Sequence, residues 1–428
     1  MDTAGQARKK ADLVLKNIGE LVTMSGHSSK PVKFPDAGAL GVLKTSALCV
    51  ATTGEKISFL GREQDLRNAL DTASAREINC EGKLVLPGFV DSHTHAIFAG
   101  SRENELAMKL QGASYLDILK SGGGILRTVK QTNDAPDEVI LNETRERLDR
   151  MISFGTTTVE VKTGYSLSVS GEIRLLELLR RLKSQYGYDI EPTLLSAHAV
   201  SSEYAGKAGQ YIEEVVIPSV NVCSERRLAT FCDVFLEQGV FGYSESERIL
   251  THASRVGLKT KIHADEFSDQ RGAELGARLG VTSADHLARS SLEGIDLLAR
   301  KGIVAVLLPG TMFSSFSPSY AKARQFIDSG APVAIATDLS PNSWIESMQF
   351  VMCLACYGMR MTVEEALVAA TINGAHAIGR AQDIGSVEVG KKADLLITDV
   401  SSYLEVPYRV ASNVVTAVVK SGRVVREN

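Results

Sequence analysis

The sequence predicts an α/β protein, a (β/α)₈ TIM-like barrel with a small β-sandwich domain formed from both chain ends. Three observations lead there. Eight short apolar runs alternate with helical stretches through the middle of the chain, strand-like segments flank that core on both sides, and residues able to do chemistry collect at the C-terminal ends of the runs. Alternating runs and helices argue for a parallel sheet with crossover helices. Eight strands in one unit is the number that closes a barrel. The competing arrangement is an open doubly wound sheet. However, no G-x-G-x-x-G follows the first run, and the Gly-rich Ser121–Gly124 lies between helical stretches, which argues against a dinucleotide or phosphate site.

The N-terminal segment, residues 1–86, contributes strands by alternation. Asp12–Thr23 alternates apolar and polar residues, Ala47–Ala51 and Lys56–Leu60 are strand-like, and Lys83–Leu86 is a further candidate. Residues 87–384 hold the barrel. Its runs are Gly88–His93, Thr156–Val161, Pro192–His198, Cys232–Leu236, Thr260–His263, Val281–His286, Ile303–Leu308 and Val333–Asp338. The helices between them include Pro136–Phe154, Gly171–Tyr186, Ser244–Val256, Ser291–Lys301 and Val363–Ile378. Residues 385–428 return to strands at Ala393–Asp399 and Val414–Val425. Neither end segment has much core alone. Together they can build one sandwich, since the two ends of a domain often lie close.

Composition narrows the function classes. With 47 Lys+Arg against 51 Asp+Glu in 428 residues, the net charge of −4 provides no field for nucleic acid or anionic membrane. The longest basic run, Arg8–Lys10, is short, and no apolar stretch behind it reads as a secretory signal. No uninterrupted apolar run is long enough for a bilayer. The cysteines at 49, 80, 223, 232, 353 and 356 are scattered, which fits free thiols in a reducing cytoplasm. Cys353 and Cys356 form the one C-x-x-C, inside an apolar helical stretch over Met348–Met359. They read as part of a buried face rather than a redox or metal pair.

The strand ends carry the chemistry. His93 and His95 end the first run, His198 the third, His263 and Glu266 the fifth, His286 the sixth and Asp338 the eighth. A barrel directs such side chains into one mouth. His27, His252 and His376 lie elsewhere and read as ordinary. In a strand, residues two apart point the same way, so His93 and His95 can share one ion. With His263 and Asp338 the set becomes three imidazoles and a carboxylate, leaving room for a water on Zn²⁺ or a similar ion. Such an ion lowers the pKa of that water to about 7.

At this point the motifs resemble a known family. The run LPGFVDSHTH at Leu86–His95 resembles the first-strand motif of the amidohydrolase superfamily, and GKKADL at Gly390–Leu395, followed by Val418–Val425, resembles its C-terminal sandwich return. More narrowly, the chain resembles the imidazolonepropionase family. The motifs are GSRENE at Gly100–Glu105, GGGI at Gly122–Ile125 with Thr128 and Val129, EVKTGY at Glu160–Tyr165, Ala197-His198, and HADE at His263–Glu266. The resemblance implies a cytoplasmic metal-dependent hydrolase, a homodimer with one Zn²⁺ or Fe³⁺ per chain. Its reaction would open the ring of 4-imidazolone-5-propanoate in histidine degradation, by hydroxide attack on the carbon between the ring nitrogens. His93, His95, His263 and Asp338 take the positions of the metal ligands. Arg102, Tyr165, His198, Glu266 and Ser343 take those of substrate-binding residues, and Glu266, His286 and Asp338 those of catalytic groups. One stretch departs from the family: after Asp338, Ser340 replaces the usual Asn and Asn342 the usual Gly.

Each residue also has a plain reading. Arg102 can fork onto the propanoate carboxylate, or pair with Glu103 or Glu105. Tyr165 can donate to a ring oxygen or be a partly buried aromatic. His198 can reach substrate or satisfy a backbone carbonyl. Glu266 can shuttle protons or form a loop salt bridge. His286 can be a fifth ligand or polarise the substrate. Glu237, at the end of the fourth strand, is the only candidate to bridge a second ion, and Lys162 is wrongly placed for that role. Two rival functions share parts of this pattern. Another amidohydrolase, such as a deaminase of formimino-glutamate or a nucleobase, would keep the metal site, and Arg102 with Gly122–Gly124 argues against it. A non-catalytic scaffold would be expected to have lost ligands.

Overall fold

The computed structural model describes residues 8–45, 47–112 and 122–428. Most of the polar N-terminus and Ser121 of the Gly-rich run lie outside them. Six strands come from the N-terminal segment: β1 (Leu13–Ile18), β2 (Glu20–Leu21), β3 (Leu48–Thr53), β4 (Lys56–Arg62), β5 (Arg76–Asn79) and β6 (Leu84–Pro87). The barrel strands are β7 (Phe89–Asp91), β8 (Thr156–Lys162), β9 (Ile190–Ala197), β10 (Phe231–Leu236), β11 (Lys259–Ala264), β12 (Ser283–His286), β13 (Val304–Leu307) and β14 (Val333–Ile335). β15 (Leu395–Thr398), β16 (Val415–Lys420) and β17 (Arg423–Glu427) complete the chain.

β7 to β14 form one eight-stranded sheet in sequence order, with every neighbouring pair parallel. Backbone bonds just beyond the strands bring the last against the first. Asp338 N donates to His93 O at 3.1 Å, and His95 N to Leu339 O at 2.8 Å. Asp91 accepts from Thr337 N at 3.2 Å and Thr337 Oγ1 at 2.6 Å.

The chain ends interleave in two further sheets, β4-β3-β1-β5 and β17-β16-β15-β6-β2. Period-two alternation explains the layers. Leu13, Leu15, Leu48 and Val50 face Val85, Leu395, Ile397 and Val419 across the sandwich core. Val14, Cys49 and Ala51 face the other way, under Leu66 and Leu70. The expected Asp12–Thr23 strand is divided at Gly19, where an added Cβ would lie 2.0 Å from Gly82 O. The helix expected over Val363–Ile378 is two, Val363–Ala370 and Ile372–Ala377. The chain breaks at Thr371 (φ −128°, ψ −95°). The second piece thereby sets Gly374 against Val90 O, where a Cβ would sit at 2.7 Å.

Cys353 is buried in the helix Met348–Met359 and donates to Pro407 O at 3.2 Å, while Cys356 is half-buried on the same helix. All six cysteines are free thiols. Among the described residues, no helix is long and apolar enough to cross a membrane.

An ionic knot ties the barrel floor to the sandwich. Asp189, just ahead of β9, accepts from Arg380 Nη1 at 2.6 Å, from Lys420 Nζ of β16 at 2.8 Å and from Lys392 Nζ at 3.1 Å. Lys420 also reaches Asp394 Oδ2 at 2.6 Å. These cations, Lys420 and Arg380 foremost, hold the Asp189 carboxyl well below the usual carboxylate range despite its burial. Removing one partner of a buried pair strands the others, so Asp189→Ala should cost about 3 kcal/mol, the low end for such sites because Lys392 is partly exposed. A depressed folded pKa gives stability that is full above the unfolded carboxylate pKa of about 3.9 and fades as pH falls toward the folded one. Urea unfolding of wild type and variant should therefore differ equally from pH 8 to pH 5 and converge only in stronger acid. A gap that closes already near pH 6 would contradict this.

Candidate active site

The turn out of β7 places His93 and His95 at the barrel mouth, β11 brings His263, and the turn after β14 brings Asp338. His95 Nε2 and His263 Nε2 stand 3.3 Å apart. Asp338 Oδ1 lies 3.5 Å from Nε2 of both His93 and His95. The rings of His93 and His263 are 4.5 Å apart between centroids. His286 closes the group at 5.2 Å from His93 and 5.0 Å from His263. All five are buried. Two overlapping ligand sets result, His93-His95-Asp338 and His93-His263-His286.

Carboxylates stand behind two of the imidazoles. His93 Nδ1 is hydrogen-bonded to Asp285 Oδ2 at 2.7 Å, and His263 Nδ1 faces Asp233 Oδ2 at 2.9 Å as an ion-pair contact off the hydrogen-bond angle. A carboxylate can only accept from such a nitrogen, so each Nε2 is left with a lone pair. Among the described residues, His93 Nε2, His95 Nδ1, His263 Nδ1 and His286 Nδ1 have no hydrogen-bond partner although they are buried. Burial first, and then the neighbouring imidazoles and Lys162, hold His93, His95 and His286 well below the usual imidazole range. Imidazoles and a carboxylate converging in this way suit a cation of the Zn²⁺ type. The other oxygen of Asp338, Oδ2, accepts a hydrogen bond from the Thr311 hydroxyl. Its carboxyl is raised to about 6, because burial outweighs that bond. Burial, then Asp338 and Glu237, push Glu266 well above the usual range. Its Oε2 lies 3.6 Å from His286 Nδ1.

The remaining candidates divide. His198 stacks on His95 (centroids 4.7 Å, 13° between planes), and its Nδ1 is 3.2 Å from Gly164 O. Gly164 permits that approach: at φ +111°, an added Cβ would sit 2.8 Å from His198 Nδ1. Burial lowers His198 to about 3. The Tyr165 ring is 5.8 Å from His95 and 5.3 Å from His198, and Ser340 lies beside its hydroxyl. Arg102 is paired, as one plain reading holds: Nε and Nη2 reach Glu105 Oε1 and Oε2 at 2.9 and 2.6 Å. Gly124 N donates to the same Glu105 at 2.7 Å, which ties the GSRENE and GGGI motifs together. Ser343 is fully buried. It exchanges backbone bonds with Ser340, and its hydroxyl meets that of Ser314 at 3.4 Å. Glu237 accepts from Phe267 N at 2.9 Å and Gln238 N at 2.8 Å, so its carboxylate braces the loop after β11. The other histidines bond locally, His376 to His27 O and His252 to Asn221, both at 2.7 Å.

Reading the sequence by strand ends misses the layer below. Glu160, Lys162, Asp233, Lys261 and Asp285 are all buried within β8, β10, β11 and β12. A signal existed: Lys261 lies two before His263, and Glu160 two before Lys162, so each shares a strand face with its partner. Lys162, set aside as misplaced for bridging two ions, is one centre of this layer.

The comparisons agree with the geometry. The model of the amidohydrolase family matches residues 233–425. The imidazolonepropionase of Shouchella clausii is 44% identical over 97% of this chain and 93% of its own, and that of Alkaliphilus oremlandii 43% over 97% and 98%. Among solved structures, a zinc-bound adenosine deaminase of Xanthomonas campestris superposes with a TM-score of 0.70 at 19% identity, covering 97% of this chain and 93% of that one. A 5-methylcytosine deaminase of Klebsiella pneumoniae superposes with a TM-score of 0.71 at 16% identity, covering 97% and 98%. These two share the barrel fold. With relatives this similar along nearly its whole length, the chain belongs to the imidazolonepropionase family of amidohydrolases, and it is a metal-dependent hydrolase.

Proposed function

We propose that the chain opens the ring of 4-imidazolone-5-propanoate with water to give N-formimino-L-glutamate, a step of histidine degradation. The observation that carries this reading is 44% identity to an imidazolonepropionase across 97% of the chain. The product also fixes the point of attack. Water adding to the carbon between the ring nitrogens would leave a formyl group. A formimino group and a new carboxylate require addition to the ring carbonyl and cleavage of its C–N bond. The expectation drawn with the family resemblance is corrected accordingly.

His93, His95, His263 and Asp338 would hold one Zn²⁺ or Fe³⁺. When bound, that ion lowers the pKa of a water to about 7 and polarises a carbonyl. The chain's own groups do the rest. Glu105 occupies the Nε–Nη2 edge of Arg102 and fixes its plane, so the propanoate would take the Nη1–Nη2 edge as a second fork. Tyr165 and His198 flank His95 and would border the ring. Glu266, ionised beside a bound cation, or Asp338 next to it would take the proton of the attacking water, and a proton returns to the departing ring nitrogen. His286, within reach of Glu266, would steady charge on the ring. Free thiols support a cytoplasmic setting, and the family resemblance supports a homodimer.

Three measurements test this. Elemental analysis should find one ion per active chain, with turnover lost on chelation and restored by Zn²⁺; two ions would require Glu237 to leave its loop contacts. Glu266→Gln should lower kcat about 10²- to 10⁴-fold with metal retained, and near-normal turnover would pass the proton role to Asp338 or His286. Arg102→Ala should raise KM roughly 10- to 150-fold and lower kcat less, since the propanoate keeps its charge throughout and its contacts are uniform binding. Decay of the substrate's ultraviolet absorbance follows all three, and an unchanged KM in the Arg102 variant would remove the anchor from the proposal.

A further inference from the structure

Lys162 ends β8 with no exposed surface. Its Nζ lies 2.8 Å from Glu160 Oε1, 2.8 Å from Asp233 Oδ2 and 3.5 Å from Asp285 Oδ2. Those two aspartate oxygens are the ones that face His263 Nδ1 at 2.9 Å and His93 Nδ1 at 2.7 Å. One ammonium thus touches both carboxylates that face the two Nδ1 atoms, and it joins β8, β10 and β12 beneath His263 on β11 and His93 just past β7. Two buried carboxylates this close repel each other, and a cation between them fixes where each oxygen sits. Lys261, the other ammonium of this layer, is placed differently. It donates to Ser92 O at 2.8 Å, lies 3.2 Å from Glu160 Oε1, and is within ion-pair distance of Asp285 alone of the two aspartates, at 3.6 Å.

We propose that Lys162 is a positioning residue of the metal centre. Its ammonium pins Asp233 and Asp285 so that His263 and His93 both keep their hydrogens on Nδ1 and turn Nε2 lone pairs to one ion. The inference rests on the metal-centre reading above. Outer partners of metal-bound histidines typically carry about 10- to 100-fold of affinity, and here one residue serves two ligands at once.

The test uses full-length, zinc-loaded protein. Lys162→Met alone leaves three carboxylates against Lys261 and is prone to misfold, so it is paired with the double variant Lys162→Met/Glu160→Gln. The double variant removes one charge of each sign and keeps the net charge of the layer. Circular dichroism checks folding, a chromophoric chelator measures Zn²⁺ affinity by competition, and Co²⁺ substitution reports ligand geometry through its visible spectrum. The expected result is a folded double variant whose Zn²⁺ affinity is weaker by about 10- to 100-fold, with an altered Co²⁺ spectrum and a kcat that falls more than KM changes. Wild-type affinity and spectrum in the folded double variant would overturn the proposal, as would a double variant that does not fold, since Lys162 would then be a structural residue. Wild-type protein that binds no Zn²⁺ would instead sink the metal-centre reading, and this proposal with it.

Discussion

The closing contact between β7 and β14 is the constraint on which the rest of the structure depends. It joins residues some 245 positions apart through the Asp91–Thr337 hydrogen bonds and the backbone bonds from Asp338 to His93 and from His95 to Leu339. Each bond is made by a candidate ligand's own backbone or lies within two residues of one. The seam that completes the barrel is therefore the seam that sets the Asp338 carboxylate against the first histidine pair. Asp91 is fully buried there, and burial raises its carboxyl to about 7 even with Thr337 bonded to it. A charged layer packs in the same barrel interior, where aliphatic side chains usually fill the layers.

That choice has a cost in backbone and in charge. His286 (φ 76°) and Asp338 (φ 52°) both adopt the left-handed region, which non-glycine residues enter at about 1–3 kcal/mol each. Straight continuation of either strand would carry the side chain past the mouth. The turn instead holds it at the rim. Beneath, two ammonium groups meet three carboxylates at full burial. Such a set is tolerable only when every member is paired, and it would gain nothing in stability over an apolar core. Its presence under the imidazoles is what a structure built to hold lone pairs in place requires. The apolar packing of the surrounding helices supplies the stability that this interior does not.

The fold was legible because its signal is periodic. Eight apolar runs separated by helices leave little choice once each run ends in a polar residue, and the interleaved end strands follow from alternation at Leu13, Val14 and Leu15. The histidine cage was legible for the same reason, since strand ends share a mouth. Three features were not legible. The Gly19 break and the division at Thr371 arise from close approaches to Gly82 and Val90, which no local pattern encodes. The Arg102–Glu105 fork can be drawn from spacing, but its tie to Gly124 N depends on tertiary placement. Asp233, Asp285 and Lys162 read as ordinary strand residues because a charge inside a barrel looks, in one dimension, like a charge on its outside.

The departure after the eighth strand gains a physical meaning from this arrangement. Ser340 and Ser343 bond to each other in both directions through their backbones, and Ser340 Oγ accepts a further bond from Ser343 N at 3.2 Å, so the loop is rigid without a glycine inside it. Each altered side chain then has a partner on another element. Ser340 meets the Tyr165 hydroxyl, and Asn342 Oδ1 accepts from Lys109 Nζ at 2.9 Å. Lys109 lies on the helix Glu103–Leu110, which begins beside Arg102. These contacts tie the loop to the element that carries the proposed carboxylate anchor, and the four candidate ligands take no part in them. The lone pairs beneath them stay where the barrel seam and the buried carboxylates put them.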